Sequence, residues 1–169
     1  MLNPKIRKVT VNVSVGKSGE PLERAERIIE QLTSQKPVRR KAKKTIRDFG
    51  ITKGEPISCV VTLRKERAHE FLSKALQAVD NKIPEENFDD TGNFSFGIRE
   101  HIEIPGIKYV PELGILGMDI SVSLGRAGYR VKERRKGKAT IGKKHLLTSE
   151  EAIAYTEETL GVEVVKSVE

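Results

Sequence analysis

Lys8 to Gly16 reads KVTVNVSVG, an unbroken alternation of polar residue and valine. Successive side chains of an extended chain point to opposite faces. Val9, Val11, Val13 and Val15 therefore line one face, and Lys8, Thr10, Asn12 and Ser14 the other. A strand of this kind has one face for a core and one for something polar. The next segment supplies the core's other half. Gly16 to Gly19 turns the chain, Pro21 suits the first position of a helix, and Leu22, Ala25, Ile28, Ile29 and Leu32 recur at helical spacing up to Thr33.

The pattern then repeats. Pro56 to Arg64 alternates again, with Ile57, Cys59, Val61 and Leu63 on one face and Ser58, Thr62 and Arg64 on the other. Glu66 to Val79 carries Ala68, Phe71, Leu72, Ala75, Leu76 and Val79 at helical spacing, with Pro84 marking the end. Phe94 and Phe96 continue a strand pattern through Ile98, Ile102 and Ile104 to Pro105 after the turn-forming Asp-Asp-Thr-Gly-Asn. Met118 to Leu124 alternates once more, and the Gly- and Pro-rich stretch Pro105 to Gly117 between them reads as a loop. Thr148 and Glu151 form a capping-box signature for a helix that stops at Gly161, and Val162 to Glu169 is a candidate edge strand. The expected fold is α+β: one domain over residues 1–169, an antiparallel or mixed sheet with helices packed on one face and the polar face open.

Charge is distributed unevenly over this frame. The net charge is +7, and the twelve residues Lys36 to Arg47 alone carry seven basic side chains and no acid. Residues 126–144 hold nine basic residues against the single Glu133. These blocks predict two long basic loops on a mildly acidic body, a projecting one at 35–56 and an arm at 125–147. Blocks of one sign beside a face of small hydrogen-bonding groups point to polyanionic RNA. Such a face, lacking the aromatic residues of a base-stacking sheet, suits phosphates and ribose hydroxyls.

Other chemistries find little support. Cys59 is the only cysteine, which excludes an intramolecular disulfide and a cysteine metal cluster and fits a reducing cytosol. His69, His101 and His145 fall on three separate elements. His101-Ile102-Glu103 matches a deaminase H-x-E, but its two-cysteine partner is impossible here. Gly16-Lys17-Ser18 imitates the end of a phosphate-binding loop, yet Val11 stands where that loop needs glycine. As a Gly-x-x-Gly loop, residues 16–19 follow a strand instead of joining two helices. The paired acids Glu85-Glu86 and Asp89-Asp90 sit beside turn residues. No apolar run approaches the ~20 residues of a membrane span, and no cofactor, metal or catalytic set is expected.

Several spaced stretches carry a family resemblance: VNVSVG, TSQKPV, RKAKKTIRDFGITKGEPISCVVTLR, FDDTGNFSFGIREHIEIPGIKY and GMDISVSL, in this order. Together they resemble the universal fifth protein of the large ribosomal subunit, the family that anchors 5S rRNA. The resemblance covers nearly the whole chain. The start directly at the first strand and the continuation into IGKKHLLTSEEA resemble the archaeal and eukaryotic branch.

The resemblance implies an α+β fold whose concave sheet face holds 5S rRNA and attaches it to the central protuberance. It implies 5S rRNA contacts at Lys8, Asn12, Gln35 and Thr62, to which the alternation adds Thr10, Ser58 and Arg64, and the adjoining basic run Lys36. It also implies a loop centred on Thr45 to Thr52 that reaches peptidyl-site tRNA, with Lys43, Lys44, Thr45, Arg47, Phe49 and Thr52 as its contacts. Arg39, Arg40, Lys41, Arg130, Arg134, Arg135 and Lys136 are expected to meet further large-subunit rRNA phosphates. Other ribosomal proteins, one of them in the small-subunit head, are expected partners, with the cytoplasmic ribosome as location and neither a membrane nor a cofactor involved. A free-standing RNA-binding or chaperone module is the alternative, and an RNA-modifying enzyme a distant third.

Overall fold

In the computed structural model, residues 3–107 and 109–166 are described. The strand read from the valine alternation is β1, Lys5–Ser14, and it lies in the middle of the sheet. Its neighbours are β3, Pro56–Leu63, and β6, Met118–Gly125, both antiparallel to it. Outside these lie β2, Val38–Lys41, and β5, Phe94–Ile98, which gives the order β2-β3-β1-β6-β5 with every pairing antiparallel. A two-stranded parallel pair joins β4, Lys82–Pro84, to β7, Glu163–Val165. β7 is the short strand expected in the tail, whose residues 167–169 lie outside the described residues.

Register explains why one face is dry. Val9 faces Leu63 and Val122, Val11 faces Val61 and Ile120, and Phe94 and Phe96 face Val122 and Ile120. All of these residues are buried. Helices α1, Glu20–Thr33, and α2, Glu66–Gln77, cover this layer with Leu22, Ala25, Ile29, Ala68, Phe71, Leu72, Ala75 and Leu76. Burying a side chain of Leu, Ile, Val or Phe size stabilises by about 1.5–3 kcal/mol, so this single apolar layer is the main source of cohesion.

Local signals set the helix limits. Pro21 occupies the first turn of α1 as expected. α2 ends at Gln77, ahead of the Val79 expected from spacing, because Asp80 and Asn81 both take left-handed backbone angles. Helix α3, Ser149–Leu160, opens on the capping box: Glu151 N–H donates to the Thr148 hydroxyl, and Thr148 N–H to the Glu151 carboxylate. Ala152 and Leu147, just before the helix, enter the core beside Gly92.

Two expectations are corrected. Val38–Lys41, read as loop, is the edge strand β2, so the basic stretch 35–56 is a hairpin extended from the sheet. The strand expected to run from Phe94 to Ile104 ends at Ile98; His101–Glu103 is a 3-10 turn and Ile104 is buried beyond it. Lys108, in the expected loop 105–117, lies outside the described residues.

Candidate nucleic-acid interface

The polar face is built by the same register that builds the core, one residue out of phase. Thr10 pairs with Thr62 on one side and with Ser121 on the other, and Ser121 pairs with Ser95. A row of four hydroxyls thus crosses four strands. The next row reads Val38, Val60, Asn12, Asp119 and Gly97, and a third holds Arg40, Ser58 and Ser14. Lys8 lies opposite Ser123. Neighbouring strands stand about 4.8 Å apart, close enough for successive hydroxyls to follow one sugar-phosphate chain.

Hydrogen bonds hold parts of this face in place. Asn12 Nδ2 donates to the Asp119 carboxylate (3.3 Å) and to the Ser14 hydroxyl (3.1 Å). Gln35 Nε2 donates to the Thr62 carbonyl at 3.4 Å, so two residues 27 apart in sequence meet where β2 has not yet begun. The Ser123 hydroxyl donates to Asn93, whose own amide donates to Asp89. Asp89 also accepts from the backbone N–H groups of Thr91 and Asn93. Burial pushes the Asp89 pKa up, but these hydrogen bonds outweigh it and hold the carboxyl below the usual aspartate range.

Of the expected face residues, Lys8 and Arg64 are exposed, and Thr10, Asn12, Gln35 and Thr62 are half-buried. Ser58 is buried, flanked by Ser14 and Arg40, and offers little surface. Ser95, Asp119, Ser121 and Ser123 belong to the same face without having been expected there. The alternation within FSFG and MDISVSLG carried them: each stands between two buried apolar residues.

The basic hairpin is ordered to its end. Ala42 N–H donates to Glu55, Gly54 N–H to Ala42, and Ile46 and Ile51 exchange hydrogen bonds at 2.9 and 3.0 Å. The Thr45 hydroxyl accepts from Lys53 N–H, and the Glu55 carboxylate accepts from the Ser18 hydroxyl and from Thr52 N–H. Those two bonds, Ser18's first, lower the Glu55 pKa. Arg47–Phe49 forms a 3-10 turn at the tip with Phe49 73% exposed. Lys36, Lys41, Lys43, Lys44, Arg47 and Thr52 are exposed along it.

Arg39 and Arg40 part company because adjacent strand residues face opposite ways. Arg40 shares the polar face, whereas Arg39 pairs in register with Cys59 on the helix side and forks onto Glu26 of α1 at 2.6 and 2.9 Å. Cys59 itself is buried, and desolvation pushes its thiol up to about 11.

The second basic segment is fastened at both ends. Tyr129 is buried, its hydroxyl accepting from Leu147 N–H at 2.8 Å, and His145 Nε2 lies 2.8 Å from the Ala127 carbonyl. Arg126 donates to the Leu146 carbonyl and to Glu151. Between these anchors Arg130, Arg134, Arg135 and Lys136 are exposed. His101 is a packing residue: it is buried, which lowers its pKa, and Nδ1 accepts from Leu116 N–H. Among the described residues no group of acids, histidines and cysteine is arranged to hold a metal ion, and no helix is long and apolar enough to cross a membrane.

The sequence patterns of two halves of one family cover this framework: ribosomal protein L5 over residues 1–51, and the C-terminus of the same ribosomal protein family over residues 56–155. The chain belongs to the ribosomal protein uL5 family. Its relatives include the large ribosomal subunit protein uL5 of Pyrobaculum aerophilum, 53% identical over 94% of this chain and 89% of the relative. That of Aeropyrum pernix is 51% identical over 98% and 86%, respectively. That of Methanosphaera stadtmanae is 48% identical over 97% and 98%. These are archaeal proteins, in keeping with the archaeal and eukaryotic branch that the resemblance implied. The family is one of structural ribosomal proteins and not of enzymes, so the expected identity, fold class and lack of catalysis all hold.

Proposed function

We propose that this chain is a structural component of the large ribosomal subunit that holds 5S rRNA on its polar sheet face and attaches it to the central protuberance. The observation carrying this reading is the row Thr62, Thr10, Ser121 and Ser95, four hydroxyls in register across four strands with Lys8, Arg64 and Arg40 nearby. Phosphate contacts of the cations supply affinity and its salt dependence, while the hydroxyls fix position on the RNA backbone. The hairpin tip around Phe49 reaches peptidyl-site tRNA, with Lys43, Lys44 and Arg47 meeting phosphates. A small-subunit head protein is met by the region 105–117 or by the acidic surface.

Shape-conserving changes test the sheet face. Thr10→Val and Thr62→Val remove one hydroxyl each. Each is expected to weaken 5S rRNA binding roughly two- to tenfold, the worth of one hydrogen bond, with the salt slope unchanged. Wild-type affinity in both variants, or equal binding of unrelated structured RNA in competition, sinks the assignment. Phe49→Ala is expected to leave 5S rRNA capture intact and to weaken tRNA retention on assembled ribosomes.

A further inference from the structure

Arg7 lies outside the alternation that defines the polar face, yet the fold devotes several features to it. The β1–β6 register slips between Ile6 and Lys8, which makes Arg7 the extra residue of a β-bulge. Bulges re-aim a side chain out of the ladder. Its side chain lies against Gly125, the register partner of Lys5, where an added Cβ would come within 2.5 Å of Arg7 Cδ and 2.8 Å of Tyr129 Cδ2. Only glycine leaves room for both. The Arg7 guanidinium lies 5.6 Å from the Tyr129 ring centroid, and Lys132 Nζ lies 5.0 Å from it. Thus bulge, glycine and aromatic ring fix where the guanidinium goes.

It goes into a cleft of about 350 Å³ lined by Arg7, Lys8, Arg64 and Glu133. Arg7 Nη2 donates to Glu133 Oε2 at 2.7 Å. Three cations therefore meet one carboxylate, and that carboxylate is the only acid in the basic segment 126–144. The pair is accessible, with side chains 26% and 55% exposed, and exposed ion pairs of this kind hold weakly. A phosphodiester offers two anionic oxygens in place of one engaged carboxylate oxygen, and guanidinium binds such groups by its fork. The Arg7 hydrogen bond first, then the Arg7, Lys132 and Lys8 charges nearby, lower the Glu133 pKa from the usual glutamate value against an opposing effect of burial.

We propose that the Arg7–Lys8–Arg64 cleft is a phosphodiester-binding site that Glu133 fills in the free protein and that an RNA phosphate takes over by displacing it. Glu133 follows directly on the turn Tyr129–Lys132, so the exchange loosens the basic arm as RNA docks. The inference rests on RNA being the partner, but its test does not depend on which RNA. Inorganic phosphate is titrated into the full chain while the Arg7 Nε–H and Tyr129 ring resonances are followed by NMR. Glu133→Gln is expected to tighten phosphate binding at least fivefold, Arg64→Ala in that background to reverse most of the gain, and Glu30→Gln, on the far helix layer, to change it less than twofold. Equal gains in Glu133→Gln and Glu30→Gln, or phosphate shifts that bypass Arg7, overturn the proposal. With 5S rRNA, Glu133→Gln is expected to raise affinity while leaving the salt slope unchanged, because the same phosphate contact is made in both proteins and only the competing carboxylate is lost. A protein that exchanges phosphate in this way but does not prefer 5S rRNA refutes the proposed function and leaves the cleft standing.

Discussion

Replacing Gly92 by alanine tests whether the polar sheet face and α3 are locked together through the Asp89 loop. Gly92 sits at φ +77°, and a Cβ there would stand 2.8 Å from Leu147 Cδ2, 3.0 Å from Leu147 Cγ and 2.9 Å from Ala152 Cβ. Neither neighbour has room to yield. Leu147 is 1% exposed, and the Ala152 methyl moves only with the helix that carries it. The left-handed backbone alone costs a non-glycine residue about 1–2 kcal/mol. Overpacking a core adds roughly 1–3 kcal/mol. Gly92→Ala is therefore expected to destabilise by about 2–5 kcal/mol, a drop in Tm on the order of 4–20 °C for a chain of this size. Gly114→Ala separates the two contributions, since Gly114 has φ +70° and nothing within 4 Å of its Cβ position. It should lose only about 1–2 kcal/mol. Urea denaturation followed by circular dichroism measures both. Equal losses of stability in the two variants would refute the lock, because the contact between the Asp89 loop and α3 would then carry no energy.

Arg39 and Arg40 offer a second test, because their charges are the same and their faces are not. Arg40→Ala should lower the salt slope of RNA binding by about 0.7–0.9, whereas Arg39→Ala, which breaks only the fork to Glu26, should leave it unchanged; equal losses place both on the RNA. Acid should weaken the Asp89 loop. Its folded pKa lies below the usual aspartate value, so its stabilisation is complete above that value and is lost as pH falls through the folded one. Asp89→Asn should therefore be less stable than wild type at neutral pH, with the gap closing as pH falls below the aspartate range. A gap in urea midpoint that is constant with pH contradicts this.

Most of the sheet is legible from period-two alternation, since β1, β3 and β6 each bury one face and leave the other polar. The edge strand β2 is not. All four of its residues, Val38 to Lys41, are exposed, so no hydrophobic period marks them and only pairing with β3 makes them a strand. Arg7 escapes for a related reason. A bulge inserts one residue without changing composition, and alternation counted from Lys8 onward never meets it. The end of α2 is hidden by the apolar residues Ala78 and Val79, which continue the helical spacing up to the point where Asp80 and Asn81 turn the backbone. Within the candidate interface, Thr10, Asn12 and Thr62 are legible from spacing, but Gln35 comes only with the family resemblance. Its bond to the Thr62 carbonyl spans 27 residues, and no local pattern encodes such a meeting.

The central place of β1 also sets a schedule for synthesis. β1 pairs on one side with β3, which ends at Leu63, and on the other with β6, which begins only at Met118. Until that later segment emerges, one edge of β1 stays open, its backbone donors and acceptors unpaired and its valines half covered. Long-range pairings of this sort slow folding and expose strand edges to other chains. In synthesis from the N-terminus β3 is therefore available to β1 before MDISVSLG, the segment that closes the second edge of the central strand.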